Sequence, residues 1–201
     1  MNRRHFILGG LAAAAVSDAS ATVVQIPNGI SRAFIQAPQI VKQQCVEWCW
    51  AASASMIFAM HGHPVDQKNI VQRVYGGVVC APQAGIVIAN VVNTPWVDAM
   101  GQLFKPDLVA AYDFTAGVNA ISNQLIVDEI VANRPLIYGN QHHVMVLSQV
   151  DYFNTPAGPN ILQIGVFDPW PLNPDFHPLT SLEMTPQHLG GQMALLAAVH
   201  I

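Results

Sequence analysis

The residues best equipped for chemistry are a cysteine and a glutamine that precedes it in a short polar segment. Cys49 opens the run Cys-Trp-Ala-Ala-Ser, and Gln43 stands shortly before it. A thiol attacks a carbonyl carbon only as thiolate, and a free cysteine has a pKa of about 8.5. The positive end of a helix and a nearby imidazole both favour that thiolate. The backbone N–H of Cys49 and the side-chain amide of Gln43 are candidate donors to the oxyanion that such an attack creates.

The residues after Cys49 predict a buried helix. They are alanine-rich and apolar as far as Met60, and Gly62 and Pro64 end the run. The thiol would therefore lie at the start of a helix that enters the core. An inert structural thiol on an apolar helix fits the same pattern, so further partners must decide between the two interpretations.

A base for the thiol is sought among the eight histidines of the chain. His142 and His143 stand directly before the apolar run Val144-Met145-Val146-Leu147, which predicts a strand. Because successive residues on a strand point to opposite faces, only one of the two can meet Cys49. The pair could instead be a metal site or two turn residues.

A carboxylate follows the next predicted strand, at Asp168 in the segment Asp-Pro-Trp-Pro. There it can accept the second imidazole N–H and fix the tautomer and orientation of the ring. The same four residues could also form only a rigid turn.

The order Gln43, Cys49, His143, Asp168 resembles that of the papain-like cysteine peptidases. The similarity is closest to their compact bacterial type, which includes a plant-pathogen effector peptidase and relatives of the bacteriocin-leader peptidases. It implies that Cys49 is the nucleophile and that His143, which directly precedes the apolar run, is the base rather than His142. It also implies that Asp168 orients the imidazole and that Gln43 donates to the oxyanion.

Two further features bear on the resemblance. Trp170 occupies the position where papain-type enzymes carry a tryptophan that covers the hydrogen bond of the imidazole. Asp168 stands where papain itself has asparagine, and the interval between Cys49 and His143 is shorter than in plant or lysosomal papains. The aspartate favours the compact bacterial type, and the short interval means that the substrate-cleft inserts of the larger papains are not expected here.

We therefore expect a thiol hydrolase that cleaves peptide bonds in a protein or peptide substrate and needs no metal or organic cofactor. A deamidase or a transglutaminase-like acyl transferase would use the same triad, and a catalytically silent papain-like binding module would keep only the fold. A metal site with His61, His63, His142 and His143 as ligands is a further alternative. However, His61 and His63 are too closely spaced, and are separated by a glycine, so they do not form a typical helical zinc pair.

The first 21 residues predict a secretory signal peptide. A basic start with Arg3 and Arg4 precedes an apolar stretch over residues 6–16, and Ala19-Ser20-Ala21 is a small-residue cleavage site. The two arginines also fit a twin-arginine signal, which exports folded proteins. The expected location is the periplasm or the exterior of a bacterium.

Residues 22–201 are then expected to form a single catalytic domain. Removal of Arg3, Arg4 and Asp18 from eight basic and twelve acidic residues leaves six and eleven, a net charge of −5 with histidine neutral. With no basic patch, nucleic acid is not an expected partner. No later apolar run reaches membrane-spanning length, so no stable membrane insertion is expected after removal of the signal. The sequence carries no signal for an oligomeric state.

The three cysteines indicate one bridge and one free thiol. If Cys49 is the free nucleophile, Cys45 and Cys80 are left to pair in an oxidising compartment. Papain-type enzymes likewise bridge a cysteine just before the nucleophile to a later loop, although Cys45 lies slightly further from the nucleophile. A bridge between Cys45 and Cys49, which would abolish activity and could serve as a redox latch, is the alternative.

The remaining patterns predict an α+β fold of papain-like type. An N-terminal helical half that holds the nucleophile helix would pack on a C-terminal antiparallel sheet, with the cleft between them. Residues 22–42 are expected to be extended, residues 78–118 to be loop-rich, and residues 66–75 and 122–134 to be helical. Strands are expected over residues 135–139, 143–153, 160–167 and 192–200.

Overall fold

The computed structural model describes residues 22–201, and the predicted signal peptide lies outside the described residues. The helices in this part of the chain are α1 (Cys49–Met60), α2 (Gln67–Tyr75), α3 (Gly85–Val91), α4 (Asn123–Val131) and α5 (Ser181–Met184). The strands are β1 (Thr22–Ile26), β2 (Ile30–Phe34), β3 (Trp96–Val97), β4 (Leu103–Phe104), β5 (Asp107–Asp113), β6 (Val118–Asn119), β7 (Leu136–Gly139), β8 (Val144–Thr155), β9 (Gly158–Phe167), β10 (Phe176–Pro178) and β11 (Leu195–His200). The expected α+β class is confirmed.

The long strand β8 organises the main sheet. One of its edges pairs with β9, and its other edge pairs first with β7 and then with β2. From β7 the sheet continues through β11 and β5 to β6, whereas β1 lies outside β2 and β10 lies outside β9. The pairings between these strands are antiparallel.

The sheet takes strands from both ends of the chain, which corrects the expected order of helices first and strands afterwards. The segment over residues 22–42, expected to be only extended, begins with the hairpin β1–β2, and β2 buries Ser31 and Ala33. The segment over residues 78–118, expected to be loop-rich, contains α3 and the sheet strand β5. Small buried residues such as Ser31 and Ala33 give little hydrophobic alternation, so the patterns did not indicate a strand.

Helix α1 is buried on nearly all sides because it packs against β8, β7, α2 and α3. Its alanines allow close approach, and its two core serines have acceptors: Ser53 Oγ donates to the carbonyl of Val144 at 3.1 Å, and Ser55 Oγ donates to that of Val65 at 2.6 Å. Burial of these hydroxyls is tolerable because each forms a hydrogen bond. The contact between Ser53 and Val144 fixes the start of β8 against the helix that begins with Cys49.

The predicted helices at residues 66–75 and 122–134 are present as α2 and α4. Asp66 and Ser122 are their N-caps, and each side chain accepts a backbone N–H of the first turn. α4 ends earlier than predicted, because Asn133 adopts a positive φ of 59° and Arg134 then turns to pair with Glu129. Among the described helices, none is long and apolar enough to cross a membrane.

Candidate active site

Cys49 is the first residue of α1, and its thiol is free and half-buried. Trp48, the N-cap, provides no side-chain hydrogen bond. Within residues 22–201, the backbone N–H groups of Cys49, Trp50 and Ala51 have no hydrogen-bond acceptor; the first bond of the helix joins Ala52 to Trp48. These open donors and the helix dipole favour negative charge at the thiol and at an oxyanion beside it.

His143 reaches the site from the turn before β8. The side chain of Asn140 shapes that turn by accepting the backbone N–H groups of His142 and His143, at 2.9 and 2.8 Å. The imidazole Nε2 of His143 lies 2.7 Å from Asp168 Oδ1, which leaves Nδ1 as the nitrogen available to the thiol. His142 is exposed. Of the two histidines, His143 is therefore the one that the structure brings to Asp168.

The pKa of His143 is raised to about 9. Burial acts to lower it, but the hydrogen bonds to Asp168 and to the Cys49 thiol, together with the negative charges of both groups, outweigh burial. The imidazolium form is therefore favoured whenever both partners are anionic. An ion pair between thiolate and imidazolium is the form in which a cysteine attacks a carbonyl near neutral pH.

Asp168 lies at the end of β9 and is fully buried. Its Oδ1 accepts the backbone N–H of Trp170 at 2.8 Å in addition to the His143 contact. Its Oδ2 lies 2.7 Å from Asn173 Nδ2 and 3.1 Å from His177 Nε2. Burial would raise the pKa of Asp168, but these donors hold it well below its ordinary value. The carboxylate thus stays anionic across the neutral range.

Trp170 stands beside the pair, with its ring centroid 6.4 Å from that of His143 and nearly perpendicular to it. Its backbone N–H also bonds Asp168. Trp170 therefore lies beside the hydrogen bond between His143 and Asp168, with its ring near the imidazole and its backbone N–H bonded to the carboxylate.

Gln43 is buried beside the nucleophile loop, but its amide is already engaged. Nε2 donates to the carbonyls of Cys45 and Val46, both at 2.9 Å, while Oε1 is buried without a partner in the described part of the chain. The side chain therefore braces the loop that leads to Cys49. Donation to an oxyanion requires one of the two bonds to open.

The loop of Gln43 is tied to the loop of Asp168. The backbone N–H of Gln43 donates to the carbonyl of Pro169 at 2.8 Å. Lys42 Nζ donates to the carbonyls of Asp168, Trp170 and Asn173, and it also pairs with the carboxylate of Asp175 at 2.9 Å. These bonds fix the spacing between the segments that hold the nucleophile and the acid.

Gln67, at the start of α2, clamps the same loop from the other side. Its Oε1 accepts the backbone N–H of Gln44 at 3.0 Å, and its Nε2 donates to the carbonyl of Lys42 at 2.9 Å. The side chain is buried, so both bonds are shielded from water.

The predicted disulfide joins Cys45 to Cys80, with their Cα atoms 5.9 Å apart. Two indoles hold the same loop by hydrogen bonds: Trp48 Nε1 donates to the carbonyl of Val79 at 2.7 Å, and Trp50 Nε1 donates to that of Ala81 at 3.1 Å. Cys49 is thereby left with a free thiol, and the alternative bridge between Cys45 and Cys49 is not formed.

A cleft of about 340 Å³ opens beside His143, with Val46, His142, His143, Trp170 and Asn173 in its wall. A neighbouring cavity of about 300 Å³ is largely apolar and runs along the nucleophile loop beside Trp170, Pro171 and Leu172. Val46 and Trp170 line both openings, which therefore adjoin each other.

The four histidines of the possible metal site are not placed as a set of ligands. His63 Nδ1 bonds Asp98 at 2.9 Å, whereas the Nε2 of His61 is buried without a partner among residues 22–201. Burial and nearby positive groups lower the pKa of His61 to about 4. In this part of the chain, no three histidine, cysteine, aspartate or glutamate side chains are arranged to hold a metal ion.

Sequence reasoning did not identify the residues that support the triad. Asn173 and His177 share Asp168 with His143, and Lys42 and Gln67 fix the nucleophile loop. Asn173 lies in the proline-rich turn that follows Asp168, and that proximity was the available signal. The others act across long sequence separations, for which the chain carries no local pattern.

No protein-family model matches this chain, and the comparison with curated proteins also finds no match.

Proposed function

We propose that this chain is a thiol hydrolase of papain-like type that cleaves peptide bonds with Cys49, His143 and Asp168. The observation that carries the proposal is the line of contacts from a buried carboxylate through one imidazole to a free thiol at a helix start. The three groups come from separate elements, and the N–H groups of the first turn of α1 are open beside the thiol.

In the first half of the reaction, the Cys49 thiolate attacks the carbonyl carbon of the scissile amide. A C–S bond forms, and the carbonyl electron pair moves to oxygen to give an oxyanion. When the intermediate collapses, the C–N bond breaks and the His143 imidazolium gives its proton to the departing amine. Asp168 holds the ring in place throughout by accepting the N–H at Nε2.

In the second half, His143 is neutral and acts as a base. It takes a proton from water, and the resulting hydroxide equivalent attacks the thioester carbon. The C–S bond then breaks, the carboxylic acid leaves, and the thiolate and imidazolium are restored. No group beyond water is needed to balance the two steps.

The oxyanion has two proposed donors. The backbone N–H of Cys49 lacks an acceptor within residues 22–201 and lies at the positive end of α1. Gln43 is the second donor, on the condition that substrate binding releases its Nε2 from the carbonyl of Cys45 or Val46. Because Gln43 Oε1 accepts no hydrogen bond within residues 22–201, only the two Nε2 bonds hold the side-chain amide in its present orientation.

We also propose that the protein works in the periplasm or outside a bacterial cell. The disulfide between Cys45 and Cys80 supports an oxidising compartment. The basic, apolar and small-residue pattern of residues 1–21 supports export by a signal peptide.

The test is digestion of an unbiased peptide library by the protein and by Cys49→Ala, followed by mass spectrometry. The proposal expects cleaved chains with the native protein and none with the variant, in which alanine suits the helix start. A mass gain of about one dalton would indicate deamidation, and cross-linked products would indicate acyl transfer. Intact peptides after prolonged incubation with the native protein would contradict turnover altogether.

A further inference from the structure

A second cavity adjoins the turn that carries His143. Its volume is about 340 Å³, and its wall includes Asn140, Gln141 and Val144 from that turn and from the start of β8. Gln141 and Val144 flank His142 and His143 in the chain, so the cavity and the cleft beside His143 lie on the same turn, although they have no lining residue in common. A volume of this size suits a side chain or another small group.

Asp113, at the end of β5, provides a buried carboxylate in the same wall. The residue is 6% exposed. Its Oδ1 accepts the backbone N–H of Ala116 at 3.0 Å, but its Oδ2 accepts no hydrogen bond from residues 22–201. It forms no salt bridge within this part of the chain, and none of the residues that line the cavity is basic. Oδ2 is not among the buried side-chain atoms without a partner in this part of the chain, so it is open to solvent and can pair with a cation that enters the cavity.

Gly85, the first residue of α3, packs directly against the Asp113 carboxylate. A Cβ atom placed on Gly85 would lie 2.5 Å from Asp113 Oδ2 and 3.1 Å from its Cγ. Because such a contact would force the carboxylate to move, a larger residue here would displace Asp113 from its present position. The glycine is thus explained by the close approach of the carboxylate.

The rest of the lining suits a long aliphatic side chain with a charged end. Ile88, Val144 and Leu195 provide apolar surface on which a methylene stem can lie. Gln83 and Gln187 add neutral amides that can accept N–H groups of a bound cation.

We propose that this cavity receives the lysine or arginine side chain of a peptide substrate, with Asp113 as its ion partner. The inference rests on the proposed function, since it names the substrate class of the same site. A basic residue close to the scissile bond would place its charged end against Asp113 while the main chain passes His143.

The first experiment compares cleavage of paired peptides that carry lysine, arginine or norleucine at each position near the scissile bond. Asp113→Asn keeps an oxygen for the N–H of Ala116 but removes the charge. The ratio of kcat/KM for lysine over norleucine peptides should fall by about 10–100-fold, as expected for loss of one charged hydrogen bond. Asp107→Asn is the matched control, because it removes a charge from the exposed start of the same strand and should leave the ratio unchanged. Cleavage with no preference for basic residues, or an equal preference in Asp113→Asn, would overturn the inference while leaving the proposed function intact.

The second experiment does not depend on turnover. Binding of N-acetyl-lysine methylamide and of its norleucine analogue to Cys49→Ala is followed by NMR. The titrations are then repeated with the double variant that carries both Cys49→Ala and Asp113→Asn. Gly85→Ala serves as a second variant should Asp113→Asn fail to fold. The lysine compound should bind with Asp113 intact and lose at least about tenfold in affinity in either variant. Selective binding of the lysine compound, together with no peptidase activity of the native protein, would refute the proposed function alone. Equal binding of the lysine and norleucine compounds would refute the cavity inference.

Discussion

At the scale of single residues, the site depends on the Asp168 carboxylate, which forms hydrogen bonds with several side chains. Asp168 Oδ1 faces His143, while Oδ2 faces Asn173 and His177. Donors on both oxygens prevent the carboxylate from rotating, so Oδ1 stays aimed at the imidazole. Orientation of the His143 imidazole is then a property of Asp168, Asn173 and His177 together and not of one hydrogen bond.

Substitutions at Asp168 should separate hydrogen bonding from charge. Asp168→Ala removes both and should lower kcat/KM by about 10²–10⁴, the range associated with losing general acid–base assistance. Asp168→Asn should lose less, because its amide oxygen can still accept the N–H at Nε2 of His143. The measurement is kcat/KM on one peptide, with folding checked by circular dichroism. A variant Asp168→Ala that kept the native rate would show that His143 has a different partner.

The raised pKa of His143 predicts how stability depends on pH. Its folded pKa of about 9 exceeds the ordinary histidine pKa of 6.5, so the stabilisation is fully present below about pH 6.5. It should be lost as the pH rises from 6.5 through 9. Urea midpoints of the native protein should fall across that window, whereas those of His143→Gln should lack this component. Parallel curves for the two proteins would argue against the shift.

At the scale of elements, two loops hold the catalytic segments together. Lys42 Nζ donates to carbonyls of the Asp168 loop. Gln43 Nε2 donates to the carbonyls of Cys45 and Val46 in the loop that leads to Cys49. The start of α1 is thereby fixed relative to the ends of β8 and β9. Helix and strand alone would not set this spacing.

Gln43→Ala separates oxyanion donation from loop bracing. Loss of an oxyanion donor should lower kcat by about 10²–10³ with substrate affinity nearly unchanged. Alkylation of Cys49 by iodoacetamide passes through no oxyanion, so its rate should remain near native if donation is the main role. Gln44→Ala is the control, because the Gln44 side chain is exposed and only its backbone N–H is used by Gln67. A comparable fall in turnover and alkylation would instead identify Gln43 as a loop brace.

The disulfide should contribute stability and little chemistry. The double variant with serine at Cys45 and Cys80 should unfold with a free energy about 2–4 kcal/mol lower than native. The indoles of Trp48 and Trp50 still hold the Val79–Ala81 segment in that variant, so kcat at a permissive temperature should stay close to native. Chemical denaturation and peptide kinetics on the same preparation measure both quantities. Abolished turnover in a folded double variant would show that the bridge also positions Cys49.

Secondary structure followed from the sequence where capping and periodicity were clear. The start of α1 at Cys49 agrees with the structure, and the helices expected over residues 66–75 and 122–134 are present as α2 and as the shorter α4. The strand β5 was missed because alanines 110 and 111 give it weak alternation, and α3 was missed because it is short and begins at Gly85. Such elements are held by long-range pairing, which local patterns do not encode.

At the scale of the whole molecule, the fold brings distant parts of the chain to one point. The N-terminal hairpin joins β8 through β2, and β11 inserts between β7 and β5. The proposed triad lies where the start of α1 meets the start of β8 and the end of β9. Chemically rare residues on these elements, Cys49, His143 and Asp168, could be named from the sequence. Their supporting partners, such as Lys42 and His177, could not, because ordinary polar residues acquire those roles only through tertiary contacts.

The most direct test of the central claim is the pH dependence of Cys49 alkylation in the native protein and in His143→Ala. Iodoacetamide is used from pH 5 to 9, and the modified residue is identified by peptide mapping. We expect Cys49 to be alkylated faster in the native protein than in His143→Ala near neutral pH, because an imidazolium beside a thiol promotes its reactivity. His142→Ala should behave as native. Identical profiles for the native protein and His143→Ala would contradict activation of Cys49 by His143.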